Sequence, residues 1–323
     1  MADGIVVKEP DEAERLAALR VFLRSFRNEG EAREVGLDHF IYVLESAGLA
    51  RLRVAVDTGG RGCGSEAAGG NADASGSAVV GSGALICFAD AAWIALMGVE
   101  PGHQKKGIGN AVMTELMNLA RELGFATIKL DATNFGCGLY ARHGFVDEYP
   151  AHMYEIETTC EPGAGGGAGA AGYAGSVGNI GEAGATAGRL NVRLDDAVPD
   201  WCLALDREAV GDDRSALFGA VLADGGKVLM VEGEGFGIMH GRKVGPVISR
   251  SIDAAVAIVR RADSFGASRI YVPHHDELNQ DFLVGLKRIP PEWDLTCCTR
   301  MICGEPLKQN LKLEYAGYSA ATG

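Results

Sequence analysis

Ala95-Leu-Met-Gly-Val-Glu-Pro-Gly-His-Gln-Lys-Lys-Gly-Ile-Gly-Asn110 is the stretch around which the rest of the chain organises. The apolar run Ala92–Val99 that leads into it reads as a strand. After the glycine-bearing turn, Ile108, Val112, Leu116, Leu119 and Leu123 recur at helical spacing, and Gly124 supplies the left-handed residue that ends such a helix. Strand, glycine turn and helix in that order leave free backbone N–H groups at the helix start, where the positive end of the helix dipole also lies. That is a site for phosphate oxygens. Gly107 and Gly109 carry no side chain where a pyrophosphate must approach the backbone, and Lys105 and Lys106 add positive charge. Gln104 can hold the turn or reach a phosphate. The plain alternative is that the two glycines only permit a tight turn and the lysines form a solvated face. A Walker loop is excluded by its longer Gly-to-Gly-Lys spacing. The dinucleotide fingerprint is excluded because Val112 stands where its third glycine belongs, although Asp131 does end the next strand.

Outward from this stretch, the first half reads as a capped helix from Asp11, a second helix opening at Asp38, and strands at Leu52–Val56, Ala78–Phe88 and Ala92–Val99. The central helix is followed by a strand at Ala126–Asp131, a short helix at Cys137–His143 and a strand at Met153–Glu157. The same order recurs in the second half. Helices at Asp200–Val210 and Asp213–Leu222 precede strands at Lys227–Val231, Phe236–His240 and Val244–Ile248. A helix at Ile252–Phe265, a strand at Arg269–Val272, a helix at Asp281–Leu286 and a strand at Leu295–Ile302 complete it. Alternating elements of this kind predict an α/β class with an α+β mixed sheet.

Glycine is in excess, 46 residues of 323, and concentrates in two tracts, 58–77 and 158–188. Neither has an apolar period, so the first reads as a flexible insertion in a hairpin and the second as a Gly/Ala-rich linker. The expected domains are therefore 1–157 and 189–323. The formal charge of −13 argues against non-specific nucleic-acid binding. No apolar run is long enough to span a membrane, and the acidic start lacks the layout of a signal peptide. Eight cysteines in this length are too sparse for a disulfide scaffold, so a reducing, cytoplasmic setting is expected.

Val99-Glu-Pro-Gly-His-Gln-Lys-Lys-Gly-Ile-Gly109 resembles the acetyl-CoA pyrophosphate loop of the GNAT superfamily of N-acetyltransferases, V-x-P-x-x-Q/R-x-x-G-x-G/A. Asn134-Phe-Gly-Cys-Gly-Leu-Tyr-Ala-Arg-His-Gly-Phe145 is similar to that family's second motif, N-x-x-x-x-x-Y-x-x-x-G-F, in the right order and with one helix and one strand between them. The resemblance covers about Ile5 to Glu157. Gly245-Pro-Val and Arg300-Met-Ile-Cys-Gly304 resemble, on fewer positions, the companion domain that follows some GNAT proteins. The resemblance implies a GNAT acyl-CoA N-acyltransferase fold, with acetyl-CoA as co-substrate, no metal, and direct transfer of an acetyl group to a primary amine. Main-chain groups of Met97 and Val99 would pair with the pantetheine arm, and Gln104, Lys105, Lys106, Gly107, Ile108, Gly109 and Asn110 would surround the pyrophosphate. Asn134 would bond the pantetheine, and Tyr140 would donate a proton to the departing sulfur.

One position departs from the better-known members. Where many carry a Glu that deprotonates the amine, this chain has Trp93, leaving Asp90, Asp131, His152 and Glu155 as relays to consider. That departure keeps open a second reading, a coenzyme-A-binding sensor or assembly protein without turnover. Glu29, Glu31 and Glu34 read as a solvated acidic loop or as an attraction for a cationic acceptor. His274-His275-Asp276-Glu277 holds metal-ligand types but diverging side chains, and Cys137 reads as a packing thiol without an activating base. The second half has no Q-x-x-G-x-G loop, so it is expected to bind no coenzyme and to shape the acceptor pocket or mediate self-association as a possible homodimer. The acceptor itself is expected to be a small-molecule or peptide amine, with neither nucleic acid nor membrane as a partner.

Overall fold

A computed structural model describes residues 4–26, 31–59, 78–156, 190–274, 278–286, 288–289 and 297–319. The glycine-rich insertion and the linker, apart from residues 58–59, lie outside them, as do Glu29 and the His275–Glu277 segment.

The first half runs β1 (Ile5–Lys8), α1 (Glu12–Ser25), α2 (Glu31–Ser46), β2 (Ala50–Asp57), β3 (Ala78–Cys87), β4 (Ala91–Val99), α3 (Ile108–Glu122), β5 (Thr127–Ala132), α4 (Cys137–Arg142) and β6 (Val146–Ile156). The second runs β7 (Arg193–Asp195), α5 (Asp200–Val210), α6 (Ser215–Ala223), β8 (Lys227–Val231), β9 (Gly235–His240), β10 (Lys243–Ser249), α7 (Ile252–Asp263) and β11 (Arg269–Pro273). It closes with α8 (Leu278–Leu286), β12 (Arg288–Ile289), β13 (Cys297–Gly304) and β14 (Glu314–Ala316).

Local chemistry explains most boundaries. Asp11 Oδ1 accepts from the Glu14 amide at 2.9 Å while Glu14 Oε2 accepts from the Asp11 amide at 3.0 Å, a reciprocal cap that starts α1. Gly107 and Gly124, at φ +84° and +88°, bracket α3 in the left-handed conformation that a side chain would strain. The second helix opens at Glu31, ahead of the expected Asp38, because its first turn consists of helix formers without an apolar stripe. β6 opens at Val146, well before the expected Met153. Asp147 and Pro150 read as loop residues, but pairing with β13 holds them extended, with Glu148 at the register shift between them. The short strands β1, β7, β12 and β14 have no counterpart in the sequence pattern.

All fourteen strands join one mixed sheet in the order β1-β2-β3-β4-β5-β13-β6-β11-β10-β9-β8-β7, with β12 on β6 and β14 on β10. The α/β class with a mixed sheet therefore holds. The order is informative because the halves trade strands. β13, late in the chain, lies between β5 and β6 of the first half, and β6 in turn pairs with β11 of the second. Helix α3 buries Ile108, Val112, Met113, Leu116 and Met117 on one face of the first half's sheet. On the other face, Leu19, Ile41 and Leu44 from α1 and α2 share a core with Leu205, Phe218 and Phe236 of the second half. A core drawn from both halves fixes their relation by apolar burial as well as by strand pairing.

Candidate active site

The site is built where two neighbouring strands separate. β4 and β5 pair in parallel only at Ala91–Trp93 against Thr127–Lys129. Beyond that point β4 stays on β3 and β5 stays on β13, so a V-shaped gap opens between Ile94–Val99 and Leu130–Ala132. A bulge sets the divergence. Leu96 and Met97 together face Gly83, Leu96 adopts φ +54°, and Ser82 Oγ donates to the Leu96 carbonyl at 3.0 Å. Gly83 lets these side chains close over the bulge, because a Cβ would lie 2.7–2.9 Å from Leu116, Val112 and Met97 and force them to shift. The strand edges facing the gap carry backbone N–H and C=O groups that a further extended chain can pair with.

At the wide end of the gap lies the glycine turn. Gly107 caps α3 without a side-chain bond, and the amides of Ile108, Gly109 and Asn110 in the first turn have no acceptor within the helix. Lys105, at φ +62°, and Lys106 are exposed beside them, and Gln104 Nε2 donates to the Val99 carbonyl at 3.3 Å, tying the turn back to β4. Arg24 of α1 forks onto Glu100, its shortest contact 2.8 Å, and holds the far side of the loop. Asn110 Oδ1 accepts from His143 Nε2 at 3.0 Å, which links the start of α3 to the end of α4. Burial, with Arg142 and Arg121 nearby, lowers the His143 pKa.

Asn134 is exposed in the turn after β5, and Tyr140 follows on α4. The Tyr140 ring lies against Gly136, where a Cβ would approach it to 2.5 Å, and is 8% exposed. Burial pushes its phenol pKa up, so it stays protonated at any physiological pH. Cys137 Sγ donates to the Thr133 carbonyl at 3.3 Å, a packing role. The His143–Asn110 bond thus ties the start of α3, and with it the glycine turn, to the end of the helix that carries Tyr140, and Asn134 stands in the turn between β5 and that helix.

The residues considered as proton relays are engaged elsewhere. Asp90 pairs with Arg207 at 3.2 Å and Glu155 with Arg269 at 2.9 Å, while His152 packs edge-on against His274 at 4.7 Å. Asp131 is held by Arg300 through two bonds of 2.9 and 3.0 Å. Arg300, on β13, also donates to the Tyr149 hydroxyl at 3.0 Å and stacks 4.7 Å from the Trp93 ring. No chemistry follows from Arg300 in the local sequence. Its role comes from the strand exchange, which no local pattern reveals. Among the described residues no group of three or more His, Cys, Asp or Glu is arranged to hold a metal.

The second half repeats the geometry with a different outcome. β10 meets β11 only at Lys243 opposite Arg269, and its bulge falls at Gly245–Pro246. The gap beyond is filled by the chain itself. β14 pairs with β10 through Val247–Ala316 and Ile248–Glu314, and the Gly317 amide donates to the Tyr271 carbonyl at 2.8 Å. Gly245 admits it, since a Cβ there would lie 2.2 Å from the Gly317 carbonyl oxygen.

A model of the acetyltransferase (GNAT) domain matches residues 72–147, and a second GNAT acetyltransferase model matches 202–316. The chain belongs to the GNAT acetyltransferase family. It is a two-domain GNAT protein, and each match takes in one of the two gapped strand pairs. A proposed acetyltransferase from Pyrococcus horikoshii is similar over 100% of this chain and 97% of its own, with 23% identity and a TM-score of 0.77. A GCN5-related N-acetyltransferase from Kribbella flavida is similar over 93% of this chain and 71% of its own, with 15% identity and a TM-score of 0.52. A fungal region described as a GCN5-related glucosamine N-acetyltransferase covers 93% of this chain, and the match takes in 38% of that multi-domain protein, at 14% identity and a TM-score of 0.58. At these identities the likeness is one of fold. No curated protein matches the chain significantly. No described helix is long and apolar enough to cross a membrane.

Proposed function

We propose that this GNAT protein is an acetyl-CoA-dependent N-acetyltransferase that carries out direct transfer to a primary amine, small molecule or peptide, at the β4–β5 gap. The observation that carries the reading is the gap itself, with two unpaired strand edges ending at an uncapped helix start. The pantetheine arm would add as a strand against Met97 and Val99, with Asn134 bonding it from across the gap. The amides from Gly107 to Asn110, with Gln104, Lys105 and Lys106, would take the pyrophosphate. Those helix amides and the two lysines give phosphates a locally favourable point in a protein of net negative charge. No bound metal is required by any of these roles.

In the reaction, the acceptor nitrogen attacks the acetyl carbonyl and negative charge gathers on its oxygen. A β4 backbone N–H aimed at that oxygen contributes about 3 kcal/mol, the scale of one such donor in other acyl transfers. The sulfur leaves as a thiol with a proton from Tyr140, which burial keeps in the donating form. Binding both reactants in one gap replaces a bimolecular encounter by a fixed approach. A reducing, cytoplasmic setting fits the free thiols of Cys87, Cys137, Cys202, Cys298 and Cys303.

Thiol release from acetyl-CoA, measured with a panel of primary amines, tests the proposal. Acceptor-dependent release is expected, reduced about 10²-fold in kcat for Tyr140→Phe with acetyl-CoA affinity unchanged. Coenzyme binding without release for any amine would overturn it in favour of a binding-only protein.

A further inference from the structure

Trp93 stands where the family resemblance calls for a carboxylate, and an alkylammonium of pKa near 10 must still lose a proton before it can attack. The Trp93 ring faces away from α3, into a cavity of about 20 Å³ lined also by Lys129, Tyr149, Arg214, Arg300 and Glu314. The residues come from both halves: Trp93 from β4, Lys129 from β5, Tyr149 from β6, Arg300 from β13, Arg214 from the turn before α6, and Glu314 from β14. A polar space of that volume holds about one water molecule.

Charge pairing inside this chamber is uneven. Lys129 Nζ lies 3.1 Å from Glu148, Arg300 forks onto Asp131 at 2.9 Å, and Arg214 is 2.6 Å from Asp206. Asp212 accepts from the amides of Asp90, Ala91 and Asp213. Each of these groups therefore has a close partner. Glu314 is different. It is 1% exposed, its Oε1 has no hydrogen-bond partner among the described residues, and the nearest cation, Arg300, is 4.0 Å away. A buried carboxylate oxygen without a donor is costly, and its retention in a chamber shared with the base position calls for a reason.

We infer that Glu314, delivered by β14 into the chamber beside Trp93, is the carboxylate that takes the proton from the acceptor ammonium. The inference rests on the N-acetyltransferase reading above. One proton passes from R–NH3⁺ to the Glu314 carboxylate, directly or through a water in the chamber. The freed lone pair forms the C–N bond and the C–S bond breaks. The sulfur takes the Tyr140 proton, and the surplus proton on nitrogen returns through solvent to the tyrosine. Glu314 then releases its proton to solvent, so the sum is ammonium plus thioester giving amide, thiol and one proton. The facing cations Lys129, Arg214 and Arg300 are each already matched by Glu148, Asp206 and Asp131, and the facing phenol Tyr149 is held by Arg300. Lys129, Arg214 and Arg300 also act on Glu314 through space, and among the carboxylates that line the chamber it is the one with an oxygen that no described donor reaches. The tail that closes the second domain's gap supplies the first domain's missing base.

The test is the pH profile of kcat/KM for the full chain with the best amine of the panel, for wild type, Glu314→Gln and Glu314→Asp, with acetyl-CoA affinity measured by calorimetry as the check on folding. The expected result for Glu314→Gln is a loss of about 10²-fold together with disappearance of the low-pH limb, at unchanged acetyl-CoA affinity. Glu314→Asp should keep the limb. A Glu314→Gln protein with the wild-type rate would overturn the inference, as would one that is slower but keeps an unaltered low-pH limb. If Glu314→Gln loses coenzyme binding, Glu314→Asp decides: retention of the limb supports the inference, and its loss overturns it. A wild type that transfers to no amine defeats the reaction itself, an outcome separate from any effect at Glu314.

Discussion

The β4–β5 gap and the β10–β11 gap start from the same device and end with different occupants. In both, the fourth strand bulges, at Leu96–Met97 and at Gly245–Pro246, and its parallel neighbour is lost within a few residues. In the first half the opening leads to Gly107 and an uncapped helix start. In the second it leads to Ser251, whose side chain accepts from the Ala254 amide and so occupies one of the free donors at the helix start. The gap there is closed by β14 and the residues around it, with Tyr315, Ala316 and Tyr318 at most 3% exposed. The comparison teaches that a split sheet is a binding device only while its edges stay unpaired. Once the chain supplies its own strand, the same geometry becomes core.

Three changes would break or sharpen this contrast. Ending the chain at Lys312 should have the largest effect. It strips Leu313, Tyr315 and Tyr318 from the core, each worth about 1.5–3 kcal/mol of burial, against a total stability that is typically about 5–15 kcal/mol. A thermal melt should show a loosened or unfolded chain. A truncated protein that melts like the full chain would mean the tail is not core. Arg300→Ala comes next. It leaves Asp131 buried without its partner and removes a tie between the halves, for an expected loss of about 3–5 kcal/mol in denaturant unfolding. A loss below about 1 kcal/mol would show that strand exchange holds the halves without this clamp. Gly109→Val is the smallest in stability and the most specific. A Cβ at Gly109 meets only ordinary contacts, 3.5 Å from Val99 and 3.6 Å from Leu139, so the melting temperature should move little. Acetyl-CoA affinity should nevertheless fall about tenfold or more, because the added side chain stands where the diphosphate approaches. Equal affinity would place the diphosphate elsewhere.

Much of this was legible in the residues. The 3.6-residue stripe from Ile108 to Leu123 and the glycines at either end define α3, and Lys227–Val231 and Asp200–Val210 have their observed bounds. The glycine turn and the Asn134–Tyr140 segment are local patterns, and local patterns survive in sequence. What could not be read was non-local. Nothing around Arg300 says that its strand crosses to pair with β5, and nothing around Glu314 says that three residues form a strand in another pair's gap. Those outcomes depend on which unpaired edges remain after the rest of the sheet has formed. The first part of β6 is not legible for the same reason, since Asp147 and Tyr149 pair with a strand that lies about 150 positions away, a separation on which local periodicity is silent.

Calorimetric titration of the full chain with acetyl-CoA measures the central claim directly. One open gap and one filled gap predict a single site per chain, lost or weakened at least tenfold by Gly109→Val. No heat of binding, or two sites per chain, would contradict it.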